Sequence, residues 1–381
     1  MPIRLVTTLN ELDALVPHWR RLTQGQPFLS PTWLTVWWRH FGFGHGRRLM
    51  TLVVTDELDQ VVAIAPWYLE DSRIHGKTLR FLGCGPVCSE YLSIPCRPGW
   101  ERRAAAAIAG WLCPAAGDVG DSGARVWQLL RLESLSADDP MIDELCKALG
   151  ERGAITTVLP STNCWRLTLP QSWEEYLALL SKSHRKRVRR LERDYFQNGR
   201  ARLLTADTGA QVKEGFRILV DMHAQRWASR GARGIFDDAV VSDFHRAATA
   251  ELLASRQLRL SWLELDGQPV AAEYSLVGDG VLYAYQSGMA PGAGRHEPGT
   301  LALIATLRAA IDEGIRCVDF LRGDEPYKRH WRAALHATRY VRVLPDRWSG
   351  HLRHRFWQAA RSTKRWLRTG RDAIRTTAPR R

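Results

Sequence analysis

The residues best placed to do chemistry lie close together near the end of the chain. Ile315 to Leu321 is a short apolar run that predicts a buried strand, and Arg322-Gly323-Asp324 gives it a sharp exit. Tyr327 and Lys328 follow as a polar pair at the carboxyl end of that strand, the edge where open α/β sheets bind ligands. Arg322 and Lys328 suit a phosphate or an acidic substrate, or else a local ion pair with Asp324 or Glu325. Asp319, inside the strand, serves either as a base or as an acceptor for N–H groups of the next loop. Glu273 interrupts the apolar run Pro269–Val277. A carboxylate there is costly unless it faces a wet cleft, a partner or the outer side of the strand, so it is a candidate base. His223 and Arg226 are three apart on a predicted helix and share a face from which they could reach substrate. Pro298-Gly299-Thr300 opens a further helix, with Thr300 as its expected cap, and the N–H groups at such a helix start favour an anion.

The elements that must hold these residues follow from periodicity. Helices are predicted over Asn10–Leu22, Trp33–Phe41, Trp100–Leu112, Met141–Arg152, Trp173–Leu180, Ser181–Tyr195, Ala210–Ser229, Asp238–Ser255 and 300–313. Strands are predicted over Leu49–Thr55, Gln60–Leu69, Leu79–Leu82, Val126–Leu132, Ala154–Leu159, Trp165–Leu169, Leu258–Leu265, Pro269–Val277 and Val281–Ser287. Asp266-Gly267 marks a tight hairpin. The segments 49–69 and 258–277 repeat one pattern of strand, turn, strand. Each is followed by a short strand, a Gly-rich break, an apolar helix and another strand. This is one α/β unit in two copies, with mixed sheets and the chemistry-bearing residues in the second. The division expected is 1–169 for the first half, 170–345 for the second and 346–381 for a basic tail.

Composition limits the function classes. The chain has 381 residues, enough for two domains, with ordinary hydrophobic (45%) and charged (25%) fractions. Its net charge of +14 sits in two places: residues 346–381 carry +9 and 181–202 carry +7, leaving the rest slightly acidic. No apolar run reaches the length of a signal peptide or a spanning helix. The seven scattered cysteines suit a reducing cytoplasm, and no His or Cys pair completes a metal set, so no metal is expected. The basic segment 181–195, with candidate contacts at Arg185 and Arg189, reads as a grip on an anionic substrate or as a solvated face. The tail 347–381 alternates aromatic and basic residues, as a helix on an anionic membrane surface would. Nucleic acid and the protein's own body are the other surfaces it suits.

The runs SWEEYLALLSKSHRKRVRRLERDYFQNG (172–199), PVAAEYSLV (269–277), LYAYQSGMAP (282–291) and PGTLALIATLRAAIDEGIRCVDFLRGDEPYKRHW (298–331) resemble the BioF2-like, CelD-type acetyltransferases of the GNAT superfamily. PFLSPTWLTVWWRHFG (27–42) is similar to the first helix of that family. The architecture resembles the FemAB and FemX peptidyltransferases, which carry two GNAT-like domains. The resemblance spans roughly residues 25–345. It implies tandem GNAT-like domains and an acyl donor, most simply acetyl-CoA. The acceptor would be an amine or hydroxyl, in envelope or exopolysaccharide chemistry. It also implies roles. Backbone N–H groups of Tyr285, Gln286, Ser287 and Gly288 would polarise the acyl carbonyl, and Tyr327 would meet the leaving thiolate. Glu273 and Asp319 are the base candidates. Arg295, Pro298, Gly299 and Thr300 would hold the donor, although the usual Arg/Gln-x-x-Gly-x-Gly/Ala loop is replaced by Gly292-Ala293-Gly294-Arg295. Arg185, Arg189, His223, Arg226, Arg322, Asp324 and Lys328 would contact the acceptor. The alternatives are an aminoacyl-tRNA-dependent transferase of FemX type and an inactive scaffold. Nucleic acid other than tRNA is not an expected partner.

Overall fold

A computed structural model describes residues 1–346 apart from 24, 44–45, 73–74, 115–125 and 230. The tail at 347–381 lies outside the described residues. The first half runs β1 (Ile3–Val6), α1 (Leu9–Ala14), α2 (Val16–Thr23), α3 (Pro31–Phe41), β2 (Arg47–Leu49), β3 (Thr51–Thr55), β4 (Val61–Ala65), β5 (Trp67–Ser72), β6 (Gly76–Phe81), α4 (Glu101–Leu112), β7 (Leu129–Ser136), α5 (Pro140–Gly150), β8 (Ile155–Pro160) and β9 (Cys164–Thr168). The second runs α6 (Trp173–Leu179), α7 (Lys182–Leu191), β10 (Ala201–Thr205), α8 (Gly209–Ala228), α9 (Ala239–Ala254), β11 (Leu258–Leu265), β12 (Gln268–Gly278), β13 (Val281–Met289), α10 (Pro298–Asp312), β14 (Cys317–Arg322), α11 (Pro326–His330), β15 (Ala334–His336) and β16 (Thr338–Leu344).

Local chemistry explains most boundaries. Ser30 caps α3 by accepting from the Trp33 N–H at 3.2 Å, and Thr208 with Gln211 forms a reciprocal capping box on α8. Asp266 and Gly267 both take positive φ, as a two-residue hairpin turn requires. The helix expected over Asn10–Leu22 is two helices, because Pro17 has no N–H to carry the ladder across the junction. The helix expected to be capped by Thr300 starts earlier, at Pro298. Its cap position is Glu297 in the left-handed region, and Pro298 supplies a ready-made φ for the first turn.

Two large mixed sheets result, ordered β2-β5-β6-β7-β16-β8 and β10-β11-β12-β13-β14-β9-β15, with β1-β3-β4 as a small third sheet. The repeated unit has a direct counterpart. Each large sheet holds one parallel pair that stays together for three residues and then splays. In the first half, Thr78–Arg80 of β6 pairs with Leu129–Arg131 of β7. In the second, Val281–Tyr283 of β13 pairs with Cys317–Asp319 of β14. The chain also crosses between the sheets. Strand β9, before residue 169, pairs with β14, while β16, near the end, lies between β7 and β8. A division at 169/170 therefore leaves each half with one strand in the other's sheet.

The second sheet is covered on both faces. On one face α10, α6 and α7 pack their apolar sides, with Leu301, Ile304, Leu307, Tyr176 and Val188 buried. The other face meets α8, α9 and α3. There Trp33, fully buried, stacks edge-on against Phe244, Tyr285 and Phe28, at centroid distances of 4.8, 5.6 and 5.6 Å. Aromatic pairs of this kind add to the area they bury, and this cluster fixes α3 of the first half against the second half's sheet.

Candidate active site

Past Tyr283 and Asp319 the strands β13 and β14 separate, and the gap is a cleft of about 750 Å³. This lies in the range of small-molecule sites. One wall is β13, whose residues Ala284 to Met289 pair only with β12. The register slips by one residue between Tyr274 and Ser275, so Tyr285 is an extra residue in a bulge. The β13 edge that faces the splay thus carries backbone groups with no strand opposite. A second wall is the first turn of α10, where Pro298, Gly299 and Thr300 line the cleft. A Cβ at Gly299 would stand 2.7 Å from Met289 Sδ, so a larger residue there would have to move that flexible side chain. The neighbouring Glu297 carboxylate is paired with Arg187, so its charge does not oppose an anion at this helix start.

Glu273 points from β12 into the same cleft and is half-buried. Its Oε2 accepts from Thr306 Oγ1 at 2.5 Å. Burial raises its pKa above the usual carboxylate value, against the Thr306 bond, which lowers it. Tyr327, the second residue of α11, lines the opposite side with its ring edge-on to Phe320 at 6.0 Å. Its surface is 46% exposed, yet the crowded hydroxyl is pushed up to about 12, first by desolvation and then by the carboxylates of Glu325 and Glu273. The phenol therefore stays protonated at neutral pH and is a proton donor in reach of the same space as a carboxyl with a raised pKa. His223 and Arg226 of α8 complete the rim. His223 is buried, its Nε2 accepting from Trp227 Nε1 at 3.0 Å, and burial, followed by the Arg226 charge, lowers its pKa. Arg226 has no ion pair among the described residues.

Other expected site residues are engaged elsewhere. Asp319 is fully buried behind the cleft and accepts from Tyr91 Oη (2.7 Å), Arg166 Nε (2.7 Å) and the Leu321 N–H (2.8 Å). With three donors it holds the strand end and is not positioned to take a substrate proton. Lys328 is buried, its Nζ donating to the carbonyls of Leu321 (3.3 Å), Arg322 (2.8 Å) and Gly323 (3.0 Å) and pairing with Glu325 at 2.9 Å. It fastens the turn that presents Tyr327, where Leu321 and Gly323 both take positive φ. Asp324 accepts from Trp165 Nε1 at 3.2 Å and does not line the cleft. Arg322 lines it but pairs with Glu90, from the first half. Tyr285 lends backbone to the cleft wall, while its hydroxyl bonds the Val87 carbonyl and His245. Gln286, Ser287 and Gly288 continue that wall. Arg295 is exposed and bonds His296 at 3.0 Å, away from the cleft. Arg185 and Arg189 lie on α7 outside it, Arg189 paired with Glu174 at 2.7 Å.

Two contributors are not apparent from the sequence. Glu90, 2% exposed, reaches the cleft from the loop after β6, and burial, outweighing Arg322, pushes its pKa up to about 7. Thr306 positions Glu273 from α10. Glu90 lies between Ser89 and Tyr91 in a loop with no periodicity, so only the presence of an acid after the Gly83–Pro86 break could have marked it.

Residues 182–329 match the family described as an acetyltransferase (GNAT) domain. No curated protein matches the chain. Among solved structures, that of FemX superposes with a TM-score of 0.57 at 10% identity, over 90% of this chain and 97% of that one. The C-terminal DUF2156 domain of a putative lysylphosphatidylglycerol synthetase from Agrobacterium fabrum gives 0.52 at 10% identity, over 93% and 96%. The L-PGS of Bacillus licheniformis gives 0.51 at 9% identity, over 90% and 94%. Likeness at these identities speaks for the fold, which is a tandem GNAT-like arrangement of mixed α/β sheets.

Proposed function

We propose that the protein is a GNAT-type acyltransferase that moves an acyl group, acetyl in the simplest case, from an acyl-CoA to an amine or hydroxyl. The observation that carries this reading is the opened β13–β14 splay. It brings one unpaired strand edge, one helix start, Glu273 and Tyr327 to a single cleft. The residues present fit a thioester donor. The β13 edge at Tyr285–Gly288 offers N–H groups to an acyl carbonyl, and the first turn of α10 at Pro298–Thr300 suits the donor's phosphates. Arg226 supplies a cation at the rim for either substrate.

The chain's own groups divide the work. Glu273, ionised, takes the proton from the attacking nitrogen or oxygen as that atom bonds to the acyl carbon. The β13 N–H groups steady the oxygen that gains charge. As the carbon–sulfur bond breaks, the Tyr327 hydroxyl gives its proton to the departing thiolate. Lys328 and Asp319 hold the turn and strand that carry Tyr327.

The acceptor proposed belongs to envelope or exopolysaccharide metabolism, the setting of the BioF2-like and CelD-type proteins that the sequence resembles. A cytoplasmic location with membrane contact through 347–381 is part of the same proposal. Among the described residues no helix is long and apolar enough to cross a membrane. A second reading has an observation of its own. Lys182, Arg185, Lys186 and Arg190 on α7 make no ion pair among the described residues, and such a face suits an RNA-borne acyl donor.

Calorimetric titration with acetyl-CoA, CoA and desulfo-CoA tests the first reading. Micromolar binding supports a CoA thioester donor. If none of the three binds, and aminoacyl-tRNA binds with a steep salt dependence, the second reading replaces it.

A further inference from the structure

A second cavity, of about 480 Å³, adjoins the cleft. It lies where β6 and β7 splay in the first half, and Cys88, Glu90 and Arg322 line both cavities. Its walls are polar: Arg80 and Arg131 from the splayed strands, Tyr340 from β16, and hydroxyls of Ser134, Ser161 and Thr162. The charge there is unbalanced. A chain of ion pairs runs Arg47–Glu70–Arg80–Glu133–Arg131, with contacts of 3.1, 3.1, 2.7 and 2.6 Å. Three guanidiniums thus share two carboxylates. Arg342 is buried directly opposite Arg131 across the β7–β16 ladder.

Like charges directly opposite one another weaken an antiparallel pair. The Nε atoms of Arg80 and Arg131 are buried without a hydrogen-bond partner among the described residues, which adds to the cost. Burial and the charges of Arg131, Arg342 and Arg80 also lower the pKa of nearby His75, as a net positive field would. An anion in the cavity would complete this arrangement, and the hydroxyls around it would meet further polar groups of the same ligand.

We propose that this cavity binds the acceptor, a small polyhydroxylated molecule bearing a carboxylate or a phosphate. Arg80 and Arg131 hold its anion, and its amine or hydroxyl passes Glu90 and Arg322 into the cleft. The acceptor role rests on the acyl-transfer reading; anion binding does not.

The test is calorimetry on the full chain with glucuronate, glucose 6-phosphate and glucose, alongside acetyl-CoA. At least one anion is expected to bind tenfold or more tightly than glucose, and the two anions separate carboxylate from phosphate. R131Q should weaken that binding at least tenfold. S161W, a change on an exposed mouth residue that spares the ion-pair chain, should block it even if R131Q unfolds. Acetyl-CoA affinity should stay within twofold of wild type in S161W. Anions that bind no tighter than glucose, or that bind both variants as they bind wild type, overturn the proposal. Loss of acetyl-CoA binding in S161W also overturns it, by making the cavity part of the donor site. Wild-type protein that binds the anions but no CoA thioester overturns the acyl-transfer reading and the acceptor role with it. Wild-type protein that binds the thioester but neither anion overturns this proposal alone.

Discussion

The two splays are built on one backbone plan and filled in opposite ways. Between β6 and β7 the diverging strands bring Arg80 and Arg131 to Glu133, and Glu70 of β5 and Arg47 of β2 extend this into a chain of ion pairs. Between β13 and β14 the corresponding space is left to a carboxyl held by one threonine, a phenol and an arginine with no acidic partner among the described residues. Stability and chemistry ask for different things from the same gap. A chain of ion pairs with an excess of arginine offers charge to hold an anion, whereas a carboxyl with a raised pKa is kept at some cost and can move a proton.

That contrast can be broken by experiment. The largest effect expected is from Glu273→Gln, which keeps the shape and the Thr306 contact but removes the base. Turnover should fall about a hundredfold or more, within the range for general bases. The wild-type rate should rise with pH through a pKa above the usual carboxylate value, and the variant should lose that limb. Because the folded pKa is raised, Glu273 favours folding below its unfolded pKa, and that contribution is lost as pH rises through the folded value. The variant should therefore melt no lower than wild type at pH 8; a lower melting temperature would mean that the ionised carboxylate stabilises the fold.

Tyr327→Phe should lower turnover by more than tenfold while acetyl-CoA affinity stays nearly intact, since only the proton for the thiolate is removed. An unchanged rate would take Tyr327 out of the mechanism. Arg226→Gln should raise a substrate KM severalfold, about 1 kcal/mol, with kcat little changed; steady-state kinetics decides it. The smallest functional effect belongs to the other splay. Glu70→Gln should leave acetyl-CoA affinity within twofold and cost about 2 kcal/mol of stability in denaturant unfolding, by taking the carboxylate partner from Arg47 and one of the two from Arg80, which keeps Glu133. Burial opposes ionised Glu70, but its two arginines hold its pKa below the usual value, so this contribution is present at neutral pH and lost as pH falls through the lowered pKa. A parallel loss of acetyl-CoA binding would show that the donor uses the first splay and that the two gaps are not divided as described.

Much of this architecture is legible in the order of the residues. The repeat of strand, turn, strand, helix, strand places both splays, because hydrophobic periodicity and the Asp266-Gly267 turn are local signals. Tyr327 and Glu273 stand out for similar reasons: one follows a strand's carboxyl end, and the other is a charge in an apolar run. What stays hidden depends on contacts between distant residues. Asp319 and Lys328 look like reagents in sequence, but Tyr91 and Arg166 reach Asp319 from 228 and 153 residues away, and Lys328 folds back onto carbonyls. The pairing of Arg322 with Glu90 is equally non-local. The three-residue strand β15 is too short for a pattern, and β16 becomes a strand through two neighbours from the other half.

The placement of β16 also bears on how the molecule is made. It sits inside the first sheet, between β7 and β8, yet it leaves the ribosome some 200 residues after the first and some 180 after the second. At ordinary translation speeds that interval is on the order of ten seconds or more. Until then β7 and β8 present unmatched edges, a template that other chains can join. The first sheet is complete only when the last strand of the second half arrives between them.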